Sequence, residues 1–595
     1  MEETNINTVS LFVSFYFINE GENIVAHFSK YLNMKYDEEQ NLIYYISDEG
    51  GIHNLWKYDL NNHKRIQLTD EEQNVNDYWL EQGENIVAID YNGNERNQLY
   101  GLDNQNDLNP IIKDEAYFHH YGIYDEDEDR FYLVRNHFAS PSFEVCLIKR
   151  NEEPKVLSEF DAPVSILSKL DNDELLLTYE NSNIIKQLYI LNTGTHEVKK
   201  LPTAPSRFLS FNKVHGKNYA YCLSDWETGF INLYELNLHD WSYQRLTSFE
   251  WDIEHIIWSG NYEQATIVVN ENGCSALYRF DVGQREMSEV DFRKAGVIHS
   301  IQEKDNSQLL ILFSSVDVPH CILNYDFKSK SYDILVENSG HADNIDWKVH
   351  SYRSFDGLNI PYFIYEAENM DKERTLIYIH GGPESQERPE FKELYYQLHR
   401  QGISIVIPNI RGSKGYGRYY LDLDNQTKRL DAMKDVVSLR EHLISNHDCD
   451  KDNISVMGIS YGGFMTLLLI THYPELWRSA IDIVGISHLK TFLNNTSPWR
   501  RNQRSSEYGL LGKHDDFFEE ISPLPKANDI QVPLLVFHSV HDTRVPNSES
   551  VQLVETMKNH NQNVKFTSYE NEGHIYKRQE NLDDMKNRIV RFLVE

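Results

Sequence analysis

A serine in the second half of the chain lies in a setting that suits a nucleophile. Ser460 is the centre of a Gly-x-Ser-x-Gly pattern, with Gly458 and Gly462 on either side. The β-branched run 454–457 precedes the pattern, and residues 461–472, which have helical composition, follow it. A strand, a sharp turn and a helix in this order present a serine hydroxyl at the end of a sheet, where it can attack a carbonyl carbon. The alternative is a structural serine in a Gly-rich turn.

A serine attacks an acyl group at neutral pH only when a base takes its proton. In an α/β-hydrolase an acid and then a histidine follow later strands of the sheet. Asp542 follows the predicted strand 534–537, and His574 follows the predicted strand 564–568. The expected chemistry is acyl transfer, in which His574 moves the proton of Ser460 and Asp542 orients His574. The alternative role for Asp542 is to cap the next helix.

The negative oxygen that forms during acyl transfer needs hydrogen-bond donors. One expected donor is the backbone amide of Tyr461, the residue after the nucleophile, and the other comes from a loop after an early strand. The predicted strand 376–379 runs into His380, Gly381 and Gly382. We predict that Gly382 supplies the second amide, with Gly381 as the alternative. His380 could line the substrate pocket or fix this loop by hydrogen bonds.

The composition restricts the partners and the compartment of the protein. Among 595 residues, 92 Asp and Glu outnumber 57 Lys and Arg, giving a net charge of −35. Such a field repels nucleic acid and anionic membranes, so neither is an expected partner. The five cysteines are widely spread without Cys-x-x-Cys spacing, so we expect no disulfide framework, no metal and no cofactor. The first residues do not resemble a signal peptide and no apolar run is long enough to span a bilayer, which favours a cytoplasmic location.

Between residues 39 and 343 the chain repeats one pattern. Short β-like runs alternate with Asn, Asp and Gly turns, with almost no helical periodicity. One strand position recurs after 44, 46, 43, 45, 44 and 45 residues. The recurring positions are Leu55, Leu99, Val145, Leu188, Leu233, Leu277 and Ile322. Seven units of this length match four-stranded blades, so residues 39–343 are predicted to form a seven-bladed β-propeller.

Residues 344–595 are predicted to form an α/β-hydrolase catalytic domain. After a hairpin, apolar strands alternate with helical patterns, which indicates a mostly parallel sheet covered by helices. The predicted strands are 376–379, 403–407, 454–457, 480–484, 534–537 and 564–568. The predicted helices are 391–401, 432–446, 461–472, 548–559 and 581–594. Residues 1–38 fit neither pattern, and this N-terminal arm either returns to the hydrolase domain or helps to close the propeller.

Three motifs after the propeller resemble one known family. They are His-Gly-Gly-Pro at 380–383, Asn-Ile-Arg-Gly-Ser-Lys-Gly-Tyr-Gly at 409–417 and Gly-Ile-Ser-Tyr-Gly-Gly at 458–463. This arrangement is similar to the prolyl oligopeptidase family of serine peptidases, and most similar to its acylaminoacyl peptidase branch. The resemblance implies a catalytic triad of Ser460, Asp542 and His574. It implies an oxyanion hole formed by Tyr461 and Gly382. It also implies that Arg411 holds the loops near the site. It also implies that the propeller admits only short peptides and that the protein forms homo-oligomers.

Two features depart from the family pattern. The paired glutamates that bind a free amino terminus in dipeptidyl peptidases are not evident, because Glu152 and Glu153 lie in a propeller turn without supporting context. His380 stands where prolyl oligopeptidases and dipeptidyl peptidases have a tyrosine. Both departures argue against strict cleavage after proline. Phe492 and Trp499 follow the predicted strand 480–484 and either line an apolar substrate pocket or pack in the core.

The sequence thus predicts a serine peptidase that hydrolyses short peptides, either as an oligopeptidase or as an acylaminoacyl peptidase. A carboxylesterase would use the same three residues, because acyl-enzyme chemistry does not choose between amides and esters. The propeller favours the peptidase, since a simple esterase needs no size filter. A peptide-binding scaffold without activity is the third alternative, and the complete set of residues in the expected order argues against it.

Overall fold

The computed structural model describes residues 28–595 except 82–83, 151, 171–172, 181, 293, 339, 341–344 and 368–373. Most of the N-terminal arm, residues 1–27, therefore lies outside the described residues. The rest forms a β-propeller followed by an α/β-hydrolase domain, which confirms the predicted fold class.

Seven four-stranded antiparallel sheets form the propeller, and each is built from four consecutive strands. Blades 1 and 2 contain β1 (Tyr31–Asp37), β2 (Leu42–Ser47), β3 (Asn54–Asp59), β4 (Lys64–Gln67), β5 (Val75–Glu81), β6 (Glu84–Ile89), β7 (Gln98–Leu102) and β8 (Leu108–Ile112). Blades 3 and 4 contain β9 (Tyr117–Asp125), β10 (Arg130–His137), β11 (Phe143–Lys149), β12 (Lys155–Phe160), β13 (Val164–Leu170), β14 (Glu174–Glu180), β15 (Lys186–Asn192) and β16 (Val198–Lys200). Blades 5 to 7 contain β17 (Phe208–Lys213), β18 (Tyr219–Ser224), β19 (Asn232–Asn237), β20 (Tyr243–Arg245), β21 (Asp252–Trp258), β22 (Gln264–Glu271), β23 (Cys274–Asp281), β24 (Glu286–Glu289), β25 (Val297–Asp305), β26 (Gln308–Ser315), β27 (Val318–Asp326) and β28 (Ser331–Val336).

The recurring sequence position marks the third strand of every blade, where it is buried between neighbouring sheets. Seven hydrophobic clusters separate the blades, and each cluster draws its side chains from two adjacent blades. The second strand of a blade packs on both faces, which is why all six residues of β2, Leu42–Ser47, are buried. A blade therefore depends on its neighbours for its core.

Blades 1 and 7 close the ring by side-chain packing. Tyr31 and Met34 of β1 pack in one cluster with Leu310 and Leu312 of β26. The Ser300 hydroxyl also donates to the carbonyl oxygen of Met34 at 3.1 Å. The first blade thus begins at Tyr31, within the segment 1–38 that the sequence leaves unassigned.

An eight-stranded sheet forms the centre of the hydrolase domain, in the order β29-β30-β32-β31-β33-β34-β35-β36. Its strands are β29 (Trp347–Arg353), β30 (Asn359–Tyr365), β31 (Arg374–Ile379), β32 (Ile403–Pro408), β33 (Ile454–Ile459), β34 (Ala480–Ile483), β35 (Leu534–Ser539) and β36 (Val564–Tyr569). All pairings from β32 to β36 are parallel, and only the hairpin β29–β30 and its contact with β32 are antiparallel. The strands that the sequence predicts all appear in this sheet.

Helices cover both faces of the sheet. They are α1 (Glu393–Arg400), α2 (Gly417–Leu421), α3 (Arg429–Asn446), α4 (Tyr461–His472), α5 (Leu489–Asn495), α6 (Pro498–Tyr508), α7 (Asp515–Ile521), α8 (Ser548–Asn559) and α9 (Gln579–Val594). The bounds of α4 and α8 agree with prediction. The sequence does not predict α5, α6 and α7, which lie between β34 and β35.

The parallel strands bring the predicted site residues to one edge of the sheet. Ser460 follows β33, Asp542 follows β35 and His574 follows β36. Because these strands are parallel, their carboxyl ends meet at the same edge, where ligands bind in open α/β sheets. Within the described ranges, no helix has the length and apolar composition needed to cross a bilayer.

Candidate active site

Ser460 lies in the tight turn between β33 and α4. Its backbone has φ 56° and ψ −113°, a conformation that L-residues rarely adopt. The amide of Ser460 donates to the carbonyl oxygen of Ile483 at 2.7 Å, which ties the turn to the neighbouring strand. The glycine at 462 is needed for close packing, since an added Cβ would lie 2.7 Å from the carbonyl oxygen of His380. The Gly-x-Ser-x-Gly pattern thus forms the strained strand-to-helix turn expected from the sequence.

His574 lies between the serine and an acid. Its Nε2 is 3.0 Å from the Ser460 hydroxyl oxygen, and its Nδ1 is 2.7 Å from Oδ2 of Asp542. His574 and Asp542 are both buried, and Ser460 is partly exposed. With Nδ1–H donating to the carboxylate, Nε2 presents its lone pair to the hydroxyl proton of Ser460. The structure therefore brings together the three residues that the sequence predicts as a triad.

The loop around Asp542 keeps this carboxylate ionised. Its Oδ1 accepts hydrogen bonds from the backbone amides of Arg544 and Val545 at 2.8 and 2.9 Å. His538 lies beside the same carboxylate, and its Nε2 is 3.4 Å from Oδ2 of Asp542. Burial raises the pKa of Asp542, but His574 and His538 outweigh this and lower it well below its usual range. An ionised acid at this position can stabilise a positively charged His574.

The loop after β31 lies beside the nucleophile. An added Cβ on Gly381 would be 3.5 Å from Cβ of Ser460, and Gly382 has a positive φ of 47°. Tyr461 begins α4, so its backbone amide belongs to the first turn, where amides have no partner within the helix. The side chain of Tyr461 points away, and its hydroxyl donates to Asp424 at 2.9 Å. Tyr461 thus follows Ser460 directly, and Gly381, which precedes Gly382 in the loop, lies against Ser460.

His380 fixes the same loop. It is buried, and its Nε2 is 2.8 Å from the hydroxyl oxygen of Ser413, which donates to the carbonyl oxygen of Ile410. Arg411 has the scaffold contacts that the resemblance implies, since its guanidinium bonds both carboxylate oxygens of Asp435. These contacts connect the loops after β31 and β32.

The other two predicted pocket residues lie in different environments. Phe492, in α5, is buried in the core of the hydrolase domain, with its ring centroid 5.6 Å from that of Tyr508. Trp499, in α6, faces the propeller, with its ring 5.5 Å from Phe143 and 6.4 Å from Phe118. Only Trp499 of the predicted pocket residues lines the interdomain cavity described next.

A cavity of about 300 Å³ lies between the propeller and the triad loops. On the hydrolase side it is lined by Trp499, Arg500, Arg544 and Ile575, the residue that follows His574. On the propeller side it is lined by strands and turns of blades 2 and 3. Its position places any occupant between the triad loops and the propeller.

One propeller residue, Glu95, connects this cavity to the acid loop, residues 542–545, which begins with Asp542. Its carboxylate pairs with Arg500 at 2.7 Å and accepts hydrogen bonds from Nε of Arg544 and the hydroxyl of Thr543, both at 2.7 Å. Burial opposes ionisation of Glu95, but the two arginines lower its pKa to about 2. Sequence reasoning missed this group, because Glu95 lies 405 residues from Arg500 and belongs to no motif.

A buried acid that no motif indicates lies next to the strand-to-helix turn that carries Ser460. Asp482 of β34 is paired with Gly458 across the sheet and is fully buried. Neither of its carboxylate oxygens has a well-formed hydrogen bond among the described residues. Burial raises the pKa of Asp482 to about 7, and the nearby His538 only partly offsets this.

Comparison with known proteins agrees with this geometry. Residues 389–595, which include Ser460, Asp542 and His574, match the model of the prolyl oligopeptidase family. The hydrolase domain is a prolyl oligopeptidase family domain. The match confirms the resemblance predicted from the sequence motifs.

Curated relatives resemble this prolyl oligopeptidase family domain, and each match covers only part of the relative's length. Dipeptidyl aminopeptidase BIII of Pseudoxanthomonas mexicana is 29% identical over 215 residues, which cover 35% of this chain and 31% of the relative. The acylamino-acid-releasing enzyme of Sus scrofa is 21% identical over 340 residues, which cover 53% of this chain and 46% of the relative. The chain thus spans 31% to 46% of the length of these two relatives.

Solved structures resemble the whole two-domain architecture. A puromycin-hydrolyzing peptidase of Mycobacterium tuberculosis has a TM-score of 0.83 at 15% identity, covering 95% of this chain and 94% of its own. The acylaminoacyl peptidase of Pyrococcus horikoshii has a TM-score of 0.71 at 17% identity, covering 95% of both chains. At these identities the similarity shows a shared fold.

Proposed function

We propose that the protein is a serine peptidase that hydrolyses short peptides, as an oligopeptidase or an acylaminoacyl peptidase. The observation that carries this proposal is the continuous hydrogen-bonded path from Ser460 through His574 to Asp542. The path lies at the carboxyl edge of the sheet in a prolyl oligopeptidase family domain. Both observations support the sequence-based assignment of the three roles.

Hydrolysis would proceed through an acyl-enzyme. Oγ of Ser460 attacks the carbonyl carbon of the scissile amide while Nε2 of His574 accepts the hydroxyl proton. The tetrahedral intermediate then breaks its carbon–nitrogen bond, and His574 gives the proton to the departing amine. A water molecule attacks the resulting ester with His574 as base, which releases the acid product and restores Ser460. Asp542 stabilises the charged imidazole in both halves of the reaction.

The backbone amides of Tyr461 and Gly382 would stabilise the negative oxygen of the two intermediates. Tyr461 follows Ser460, Gly382 belongs to the loop that passes beside it, and a loop amide is a fixed dipole that needs no reorganisation during the reaction. Gly382 has a positive φ of 47°, a backbone conformation that suits glycine. The buried hydrogen bond between His380 and Ser413 holds the start of this loop in place.

The propeller would select substrates by size. Blade 2 contacts the acid loop through Glu95, and blade 3 contacts α6 through Phe118 and Phe143. The cavity of about 300 Å³ between the domains has the volume of a small ligand site. A carboxylesterase with the same triad is the second candidate, and the cover over the site favours the peptidase.

The protein would act in the cytoplasm and self-associate. The location rests on the sequence, in which the five cysteines are widely spread and lack the spacing of a disulfide framework. Self-association rests on the family resemblance alone. Size-exclusion chromatography with light scattering measures the number of subunits directly.

Ser460→Ala tests the chemical assignment. The variant should lose hydrolysis of acyl-amino-acid anilides and of nitrophenyl esters together, by about three orders of magnitude or more. Ser479→Ala is the matched control, since Ser479 is also buried in the hydrolase domain, and its hydroxyl is 2.8 Å from that of Ser455, away from His574. Activity of Ser460→Ala equal to that of the parent on either substrate refutes the assignment.

A peptide-library digest analysed by mass spectrometry tests the substrate class. Short peptides should be cleaved while a folded protein of the same sequence content stays intact. The digest also compares free and acylated amino termini, and it identifies the residue at the cleavage site. Ester turnover without cleavage of any peptide or anilide would establish the esterase instead, and equal cleavage of the folded protein would exclude selection by size.

A further inference from the structure

A second group of chemically capable side chains lies between the two domains, apart from the triad. His299 of β25 and His320 of β27 come from blade 7, and Glu390 comes from the hydrolase segment that leads into α1. One ligand atom from each residue lies within 4.8 Å of the other two. None of the three is exposed. These residues lie far apart in the sequence, so no metal-binding motif indicates them.

The hydrogen bonds of the two histidines set which nitrogen each one presents. Nε2 of His299 is 2.8 Å from the Ser314 hydroxyl oxygen. Nδ1 of His320 is 2.9 Å from the carbonyl oxygen of Tyr31, and the Tyr31 amide is farther, at 3.3 Å. If these outer nitrogens donate, the lone pairs fall on Nδ1 of His299 and Nε2 of His320. Such outer contacts orient histidine ligands at metal sites.

The donor set also suits a cation. The three residues offer two imidazole nitrogens and one carboxylate oxygen, which are ligand types that zinc accepts. Lys392 is 3.4 Å from Glu390 and is held more closely by both oxygens of Glu387 at 2.7 Å. Lys392 is therefore partnered mainly by Glu387, which leaves the carboxylate of Glu390 able to bind an ion.

Geometry allows the three donors to meet one ion. A tetrahedral zinc ion with bonds of about 2.0–2.2 Å places its donors about 3.4 Å apart. The donors lie within 4.8 Å of one another, so the side chains would close by up to about 1.4 Å. The two imidazoles are stacked, with ring centroids 4.6 Å apart and planes at 24°, so one of them would turn for both lone pairs to reach the same ion. They line a cavity of about 350 Å³ that has room for a water molecule as the fourth ligand.

We propose that His299, His320 and Glu390 form a binding site for a zinc-class divalent cation that joins blade 7 to the hydrolase domain. Two histidines and a glutamate are a known zinc ligand set, with one position left for water. The ion would add to existing contacts at this seam, where Arg388 pairs with Glu254 at 2.7 Å. Binding would stabilise the association of the two domains, because a ligand that requires both domains favours their closed arrangement.

Lys30 gives the site a testable electrostatic feature. It is exposed, and it lines the same cavity as the three proposed ligands. A fixed cation near a metal site lowers the affinity for a second cation. Lys30→Met should therefore strengthen metal binding several-fold, without removing any ligand.

The test uses the full-length protein after treatment with EDTA and dialysis. Equilibrium dialysis against CoCl₂ should give one Co²⁺ per chain, with visible d–d absorption, and Zn²⁺ should displace it. Glu390→Gln should weaken Co²⁺ binding at least tenfold, and His320→Ala should abolish it. Zn²⁺ should raise the unfolding temperature of the parent and leave that of Glu390→Gln unchanged.

His442 and His447 supply the matched control. Their rings lie 5.7 Å apart on the hydrolase domain, where both contact the Tyr362 hydroxyl. The double variant His442→Gln, His447→Gln should bind Co²⁺ as the parent does. Uptake without saturation, uptake unchanged in Glu390→Gln, or uptake lost only in the control variant would overturn the proposal. If His320→Ala does not fold, the nearly isosteric Glu390→Gln decides the result.

Discussion

Gly93 of the propeller and Gly573 of the hydrolase domain face each other backbone to backbone, with room for no side chain between them. An added Cβ on Gly93 would lie 2.5 Å from the backbone nitrogen of Gly573, and one on Gly573 would overlap the carbonyl oxygen of Gly93. The carbonyl oxygen of Gly573 also accepts a hydrogen bond from Ser539. Since Gly573 precedes His574, blade 2 of the propeller directly supports the position of the predicted general base.

The first prediction concerns this contact. Gly573→Ala should lower kcat/KM on a short peptide about a hundredfold, because the added methyl group displaces the loop that carries His574. Gly573 has no positive φ, so alanine suits its own backbone and the effect comes from the contact with Gly93. Gly260→Ala is the control, since a Cβ there meets nothing within 4 Å. Equal activity of both variants would show that the two backbones can separate at no cost.

The second prediction concerns Glu95. Glu95→Gln leaves Arg500 and Arg544 without their shared anion, so it should lower the free energy of unfolding by about 2 kcal/mol at pH 7. The pKa of Glu95 falls from its ordinary 4.5 to about 2 in the folded protein. Its ionised form therefore stabilises the fold fully above pH 4.5, and this contribution is lost as the pH falls toward 2.

Urea denaturation of the parent and of Glu95→Gln between pH 3 and 8 measures that contribution. The difference in free energy should be constant above about pH 5 and should shrink below it. Glu286→Gln is the control, because Glu286 is an exposed propeller glutamate on β24. A difference that grows as the pH falls would contradict the assigned ion pairs.

The positions of Ser460, Asp542 and His574 at one edge of the sheet were predictable because each residue follows a strand with a clear apolar pattern. Ser460 lies within a local motif, and the strands before Asp542 and His574 are short apolar runs whose order fixes the edge of the sheet. The blade period was predictable for a similar reason, since the third strand of each blade buries one apolar residue at the same position. Both signals are local in the sequence.

Contacts between the domains carry no such signal. Glu95 and Arg500 are ordinary surface residue types, and only the docking of blade 2 on α6 makes them partners. The helices α5 and α6 were missed because residues 489–508 are mostly polar, although Pro498 occupies the first turn of α6. Trp499 shows the consequence, since the segment after the predicted strand 480–484 places it in a helix that packs against the propeller.

The third prediction concerns the acid of the triad. Asp542→Asn keeps the size of the side chain but removes the charge that stabilises a positive His574, so kcat should fall about 10³- to 10⁴-fold. KM should change little, because Asp542 is buried behind His574. Steady-state kinetics on a peptide anilide measure both constants. Loss of less than tenfold in kcat would reassign Asp542 to the helix-capping role.

The fourth prediction concerns Asp482, the buried acid next to the turn that carries Ser460. Burial raises the pKa of Asp482 from its ordinary 3.8 to about 7, so the folded protein retains a proton that the unfolded chain has already lost. The free energy of unfolding should therefore fall as the pH rises from about 4 to 7, by at most about 1.4 kcal/mol per pH unit from this group. Asp482→Asn removes this dependence, so its stability relative to the parent should improve across that range and level off above pH 7. Urea denaturation at several pH values measures the difference, with the exposed Asp529→Asn as the control. Parallel stability curves for parent and Asp482→Asn would show that the carboxyl group of Asp482 titrates alike in both states.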